Sequence, residues 1–132
     1  MAKLDPKVQK YLSGKHFGKL ATTMKDGSPH VTPIWYMVEG GKILVNTTTN
    51  RVKYFNINRD NRVCFLVDDG YQYVIMFGRA RMAKERDAKK DIETLAIRYT
   101  GAKAGRKAAR ERYWKQERAT IEIIPERVVS QL

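Results

Sequence analysis

Turn chemistry recurs in this chain at intervals that leave room for short paired strands and for little else. Lys25-Asp26-Gly27-Ser28, Glu39-Gly40-Gly41 and Asp69-Gly70 each lie beside runs rich in β-branched and aromatic residues. Glycine reaches positive φ without steric cost and Asp hydrogen-bonds its own backbone, so such clusters reverse a chain tightly. The runs they join are Phe17 to Met24, His30 to Val38, Lys42 to Thr48, Arg62 to Asp68 and Tyr71 to Ala83. Strands joined this closely pair antiparallel, because a parallel partner needs a crossover of a dozen residues or more. Two residues are out of place in an ordinary ladder. Pro33 cannot donate, which predicts a bulge or an edge with a ligand beside it, and Gly78 predicts a bend.

Helices interrupt the hairpins. Asp5 caps and Pro6 opens a short helix ending near Gly14, with Val8, Tyr11 and Leu12 on one face. Asn50 reads as the cap of a helix from Arg51 to about Arg59, with Val52, Phe55 and Ile57 turned inward. Ile92, Leu95, Ala96 and Tyr99 recur at helical spacing over 86–99, Gly101 breaks that helix, and a basic helix follows from Ala102 to about Lys115. A strand over 119–124 closes the order. The expected fold is mostly β: an antiparallel sheet that closes or half-closes into a barrel with helices at its rim.

At 132 residues the chain is sized for a single domain spanning 1–132. No apolar run approaches the roughly 20 residues that cross a bilayer, and Met1 to Pro6 lacks a secretory apolar region, so the expected location is the cytoplasm. Cys64, the lone cysteine, is expected as a buried thiol in an apolar strand. With no second cysteine, and neither His16 nor His30 near it in sequence, no metal site is expected. The net charge is +12, and residues 79–118 hold 14 Lys and Arg against 6 Asp and Glu, an excess of +8. Such a face seeks an anion, whether nucleic acid, a phosphorylated cofactor or an acidic substrate. Heat adaptation is the other reading of so many charges.

The stretch that can carry chemistry is Asn46-Thr47-Thr48-Thr49-Asn50-Arg51-Val52-Lys53. Here a strand ends in hydroxyls and a helix opens with Arg and Lys two residues apart. A helix start presents free N–H groups and the positive end of its dipole, and Arg grips phosphate bidentately. Spacing alone leaves a phosphate cradle and an ordinary strand-to-helix junction equally open. His30 reads as a half-buried strand histidine with its hydrogen bond satisfied. Tyr113 and Trp114, among Arg110, Arg112, Lys115 and Arg118, read as anchors of an amphipathic helix before they read as a stacking platform for single strands. Lys103, Lys107 and Arg110 share a helical face.

Taken in order, Leu20-Ala21-Thr22, Gly27-Ser28-Pro29-His30-Val31-Thr32-Pro33-Ile34-Trp35, Val45-Asn46-Thr47, Arg51 with Lys53 and Asn56, Arg59 with Arg62-Val63, Tyr71 with Tyr73, Gly78 with Ala80, and Ile123 to Val128 resemble the pyridoxamine 5'-phosphate oxidase-like split barrels. The likeness is greatest to their F420-binding flavin/deazaflavin oxidoreductase branch. The resemblance implies a six-stranded antiparallel split β-barrel that forms a homodimer, with FMN or coenzyme F420 bound at the interface. It places Arg51 and Lys53 on the cofactor phosphate with Thr47 and Thr48 beside it. Pro33, Ile34 and Trp35 then lie along the ring, and Tyr71 and Gln72 approach from the partner subunit.

No nucleophile–base pair, metal cluster or Walker-type loop stands out, and hydride transfer needs none, because the cofactor ring does the chemistry. The leading expectation is an FMN- or F420-dependent oxidoreductase acting on a small organic molecule. A non-catalytic flavin or F420 carrier or sensor comes second, and nucleic-acid binding through 79–118 comes last.

Overall fold

The hairpins form where the turn residues place them in the computed structural model, which describes residues 1–132. Strands β1 (Gly18–Thr23) and β2 (Pro29–Ile34) pair antiparallel across a turn in which Asp26 accepts the Ser28 amide at 3.0 Å. Strands β3 (Met37–Glu39) and β4 (Lys42–Thr48) turn at Gly40 and Gly41, while β5 (Arg62–Asp68) and β6 (Tyr73–Met82) turn at Gly70. A closing strand, β7 (Arg118–Gln131), pairs with both β6 and β4.

The seven strands stand in the order β2-β1-β5-β6-β7-β4-β3. The two outermost strands, β2 and β3, are consecutive in the chain, with only Trp35 and Tyr36 between them. From Ile34 to Met37 the backbone spans at most about 11 Å. The edges of the sheet are therefore held together and the sheet curls into a barrel split at that point. One expected strand, His30 to Val38, is two for this reason, and the count is seven where the sequence predicts six. At the break the Tyr36 amide donates to the Tyr99 hydroxyl at 3.2 Å, and its carbonyl accepts from Arg98 Nε at 3.0 Å. Side chains replace the ladder there.

Inside the barrel, Leu20, Tyr36, Ile43, Val45, Phe65, Val67, Val74, Met76, Ile121 and Ile123 form the core. Each fully buried large apolar side chain contributes about 1.5–3 kcal/mol. Helix α1 (Pro6–Ser13) plugs one end with Val8 and Leu12, and Asp5 caps it by accepting the Val8 amide at 2.9 Å. Its far end is closed by Arg98, which donates to the carbonyls of Leu12, Ser13 and Gly14 at 3.3, 3.3 and 2.9 Å.

Helix α2 (Val52–Arg59) departs from expectation twice. Its cap residue is Arg51, and Asn50 instead accepts a hydrogen bond from the Thr48 hydroxyl at 2.7 Å. Its inward face is Lys53, Asn56 and Ile57, while Val52 and Phe55 are exposed. The reason is polar anchoring: Asn56 donates to the Thr22 hydroxyl at 3.0 Å, and Arg59 bonds both Asn56 and the Thr23 carbonyl at 2.7 Å. These contacts set the helix rotation against the apolar pattern.

Helices α3 (Ala88–Thr100) and α4 (Ala102–Glu111) pack closely at Gly105, where a Cβ would meet the Ile97 backbone. The basic helix is shorter than expected and ends in a 3-10 turn, Tyr113–Lys115. The closing strand is longer than the predicted 119–124 because Pro125 sits at a bulge. The register slips by one residue there, and any Cβ on Gly78 would strike the Ile124 carbonyl oxygen. Glycine admits that approach and a bulge tolerates the missing N–H of proline. No helix is long and apolar enough to cross a membrane.

Candidate functional site

Helix α3, the 3-10 turn and the strand ends around the split line an open cavity of about 580 Å³, within the range of small-molecule sites. One wall is apolar: Phe17, Pro33, Ile34, Trp35, Ile92 and Leu95. Trp35 is held by stacking on Tyr99 at 5.2 Å with the planes 6° apart, and the edge of Tyr113 meets it at 6.4 Å. Tyr99 is itself fixed by its hydroxyl, which donates to the His16 carbonyl at 2.6 Å. A flat ring against this wall would find a rigid surface.

The rest of the lining is polar and cationic: Asn46, Arg51, Arg112, Gln116 and Arg118, with Tyr113 among them. None of these arginines faces a carboxylate, whereas Arg62, Arg79, Arg81 and Arg86 all do. Arg118 is bonded only to neutral groups, Asn46 at 2.8 Å and Gln116 at 2.6 Å. Burial, chiefly, holds its guanidinium below the usual value; Tyr113 acts the other way, and the charges of Arg51 and Arg112 lower it further. An adjoining hollow of about 370 Å³ is lined by Thr48, Thr49, Asn50, Arg51, Gln116 and Glu117, so Arg51 and Gln116 border both spaces. Another hollow of about 580 Å³ lies beside Thr23 to Gly27, but it has only two apolar side chains, and its Arg62 is paired with Asp60 at 2.7 Å.

The residues singled out from sequence divide into three groups. Pro33, Ile34, Trp35 and Arg51 line the main cavity, and Thr48 lines the adjoining hollow. Thr47 and Lys53 are buried and line neither. Lys53 has no carboxylate partner, and burial foremost, then the charge of Arg51, holds its ammonium below the usual lysine value. Tyr71 and Gln72 lie on the β5–β6 turn and line neither space; Asp69 accepts both their amides, at 3.0 and 2.7 Å, and Tyr71 is 86% exposed.

Phe17, Ile92, Leu95 and Gln116 carry no functional expectation from sequence; Asn46 heads the chemistry-bearing stretch and Arg112, Tyr113 and Arg118 belong to the aromatic–basic run, but none is expected at the cofactor ring or phosphate. The charge excess over 79–118 was the available signal, and it could not say which cations turn inward.

Other expectations are corrected. His30 is half-buried as expected, but its Nδ1 is enclosed without a partner, as is the Thr32 hydroxyl two residues on. Both sit on the edge strand β2, where no further strand supplies one. Cys64 is half-buried where full burial was expected; burial pushes its thiol up and Arg127 partly offsets this. Trp114 donates from Nε1 to the Lys89 carbonyl at 2.9 Å, which ties the 3-10 turn to α3.

A family model described as pyridoxamine 5'-phosphate oxidase matches residues 4–131. A conserved hypothetical protein from Mycobacterium tuberculosis is 27% identical, with a TM-score of 0.78 over 98% of this chain and 84% of that one. An F420 reductase is 25% identical, with a TM-score of 0.71 over 92% of this chain and 94% of the other. HutZ, the heme storage protein from Vibrio cholerae, shares 14% identity at a TM-score of 0.70 over 97% of this chain and 94% of its own. That last likeness shows the fold alone. With a family match across almost its whole length and a barrel split between β2 and β3, the chain belongs to the pyridoxamine 5'-phosphate oxidase family.

Proposed function

We propose that this protein binds a phosphate-bearing flavin-type cofactor, FMN or F420, in the cavity beside Trp35 and acts as an oxidoreductase on a small organic substrate. One observation carries the reading: the apolar residues Pro33, Ile34 and Trp35 line the same cavity as Arg51, which has no carboxylate partner and borders the Thr48 hollow. The residues present fit such a cofactor. Pro33, Ile34 and Trp35 would hold its ring, and Arg51 at the start of α2, next to the Thr48 hollow, would hold its phosphate. Lys53, buried on α2 near Arg51, would add charge. The cofactor, when bound, supplies the atom that accepts or donates hydride. The chain binds it, orients it and keeps water from one ring face. Similarity to an F420 reductase supports the deazaflavin member of the pair.

The test is a fluorescence titration of FMN, F420 and riboflavin against wild type, Arg51→Ala and Lys53→Ala. A hydrogen bond to a charged group contributes about 1.5–3 kcal/mol. Arg51→Ala is therefore expected to weaken FMN and F420 by roughly ten- to a hundredfold, and Lys53→Ala, which removes a nearby charge and not a lining group, by about tenfold. Riboflavin, lacking the phosphate, binds all three proteins alike. Equal FMN and F420 affinities in all three would place the phosphate elsewhere.

The site is read as completed in a homodimer. Tyr71 stands exposed on a pinned turn, and Val31, Val52 and Phe55 leave apolar side chains at the surface. We expect sedimentation to give a dimer, with Tyr71→Ala lowering cofactor affinity. A monomer that binds the cofactor tightly refutes this.

A further inference from the structure

We infer that Arg112 and Arg118 form a second anion-recognition point in the main cavity, beside Arg51 but distinct from it, and that this point takes a carboxylate or phosphate group. It rests on the reading above only for what fills the rest of the cavity.

The two arginines share one ring: Arg112 Cζ lies 5.0 Å and Arg118 Cζ 5.3 Å from the centre of Tyr113. Tyr113 in turn packs against Trp35 in a T-shaped contact, so the pair lies next to the indole in the cavity. Arg51 borders the Thr48 hollow; Arg112 and Arg118 do not.

The arrangement is built. Asn46, buried on β4, accepts from Arg118 Nε at 2.8 Å and donates to the Thr120 hydroxyl at 3.2 Å and the Ala88 carbonyl at 3.0 Å. Thr120, also buried, donates to the carboxylate of Asp91 at 2.7 Å. The guanidinium is thus fixed from behind. A guanidinium has five N–H donors. Only Nε and one on Nη1 are committed, to Asn46 and Gln116. The remaining donors are left for a ligand. A half-buried cation without a counter-charge is costly to hold, and an incoming anion removes that cost. Asn46 is the positioning residue and Arg118 the recognition residue.

Two sources could supply the anion: an acidic extension of the cofactor itself, or a separate substrate bearing a carboxylate or phosphate. Calorimetric titration of inorganic phosphate into FMN-loaded protein tests the point. Wild type is expected to take up one phosphate per chain beyond the FMN. Arg118→Gln and the more exposed Arg112→Gln each weaken that uptake at least tenfold while changing FMN affinity by less than about threefold. Arg118→Lys recovers part of the uptake, because the charge returns without the planar fork.

Repeating the titration on F420-loaded protein separates the sources. Lost phosphate uptake assigns the point to the cofactor's acidic tail, and retained uptake assigns it to the substrate. The inference is overturned if FMN-loaded wild type takes up no phosphate, or if Arg112→Gln and Arg118→Gln leave uptake unchanged. It is also overturned if both variants weaken FMN as Arg51→Ala does. Should the protein bind no flavin, the same titration on empty protein still decides. Phosphate uptake lost in Arg118→Gln and kept in Arg51→Ala upholds this point while the cofactor reading falls.

Discussion

Arg86 and Arg118 are both partly buried guanidiniums, and they stand at opposite ends of one hydrogen-bonded chain. Arg86 donates to both oxygens of Asp91 at 2.9 and 3.0 Å and reaches Glu39 at 3.0 Å. From Asp91 the chain runs through Thr120 and Asn46 to Arg118, which meets no carboxylate. The first arginine is held above its usual value by its partners, and the second is held below it, chiefly by burial. The same residue type is thus structural at one end and receptive at the other. What separates them is whether the chain supplies the anion or leaves that to a ligand.

The largest expected effect lies at the paired end. Asp91→Ala leaves a guanidinium facing a cavity and releases the Thr120 hydroxyl. Breaking a buried pair by removing one partner costs about 3–5 kcal/mol. Because Arg86 keeps Glu39, we expect a loss near the lower figure, about 3 kcal/mol, in urea unfolding. A loss under about 1 kcal/mol would show that the two ends do not differ as described.

For a buried cation that, like Arg118, meets no carboxylate, the sign reverses. Lys53→Met removes a buried ammonium that no carboxylate offsets. The empty protein is expected to gain about 1 kcal/mol, the scale of gain found when a functional site is relieved of a destabilising group. The same substitution weakens FMN at least tenfold. Thermal melts with and without FMN would cross: the variant melts higher empty and lower loaded. A variant less stable in both states sharpens the comparison differently, by making Lys53 structural.

The smallest effect is a pH slope. The folded-state value of Lys53 lies below the unfolded value of 10.5. Between the two, the unfolded chain binds more protons than the folded one, so this residue makes stability rise with pH. The penalty is full below the folded value and is relieved as pH climbs toward 10.5. Subtracting Lys53→Met from wild type isolates the slope from tyrosine ionisation. A difference that is flat or falls with pH contradicts the assignment.

Much of the architecture was legible because it is local. Asp5 and Pro6 start α1, the Asp26, Gly40 and Gly70 turns reverse the chain, and the Ile92, Leu95, Ala96, Tyr99 spacing marks α3, because each depends on neighbours within a few residues. Pro33 flagged an edge, and β2 is one. Part of the cavity lining was legible in the same way, since Arg51 and the Pro33-Ile34-Trp35 run stand out within their own short segments. The rotation of α2 was not. Counting apolar residues turns Val52 and Phe55 inward, and only the distant Thr22 and Thr23 contacts explain why Lys53 and Asn56 occupy that face.

By itself the sequence determined a set of antiparallel hairpins, the ends of most helices, and an unbalanced positive charge over 79–118. Those follow from backbone φ preferences, residue periodicity and simple charge counting. Tertiary structure alone decided that one β-rich run breaks at Trp35 and Tyr36 to split the barrel. It also decided which cations meet. Arg51 and Arg118 are far apart in the chain and come to one cavity only because β4 pairs with β7, placing Thr48 opposite Arg118. Whether a charge is paired depends on what long-range strand register sets beside it, and no local pattern encodes that.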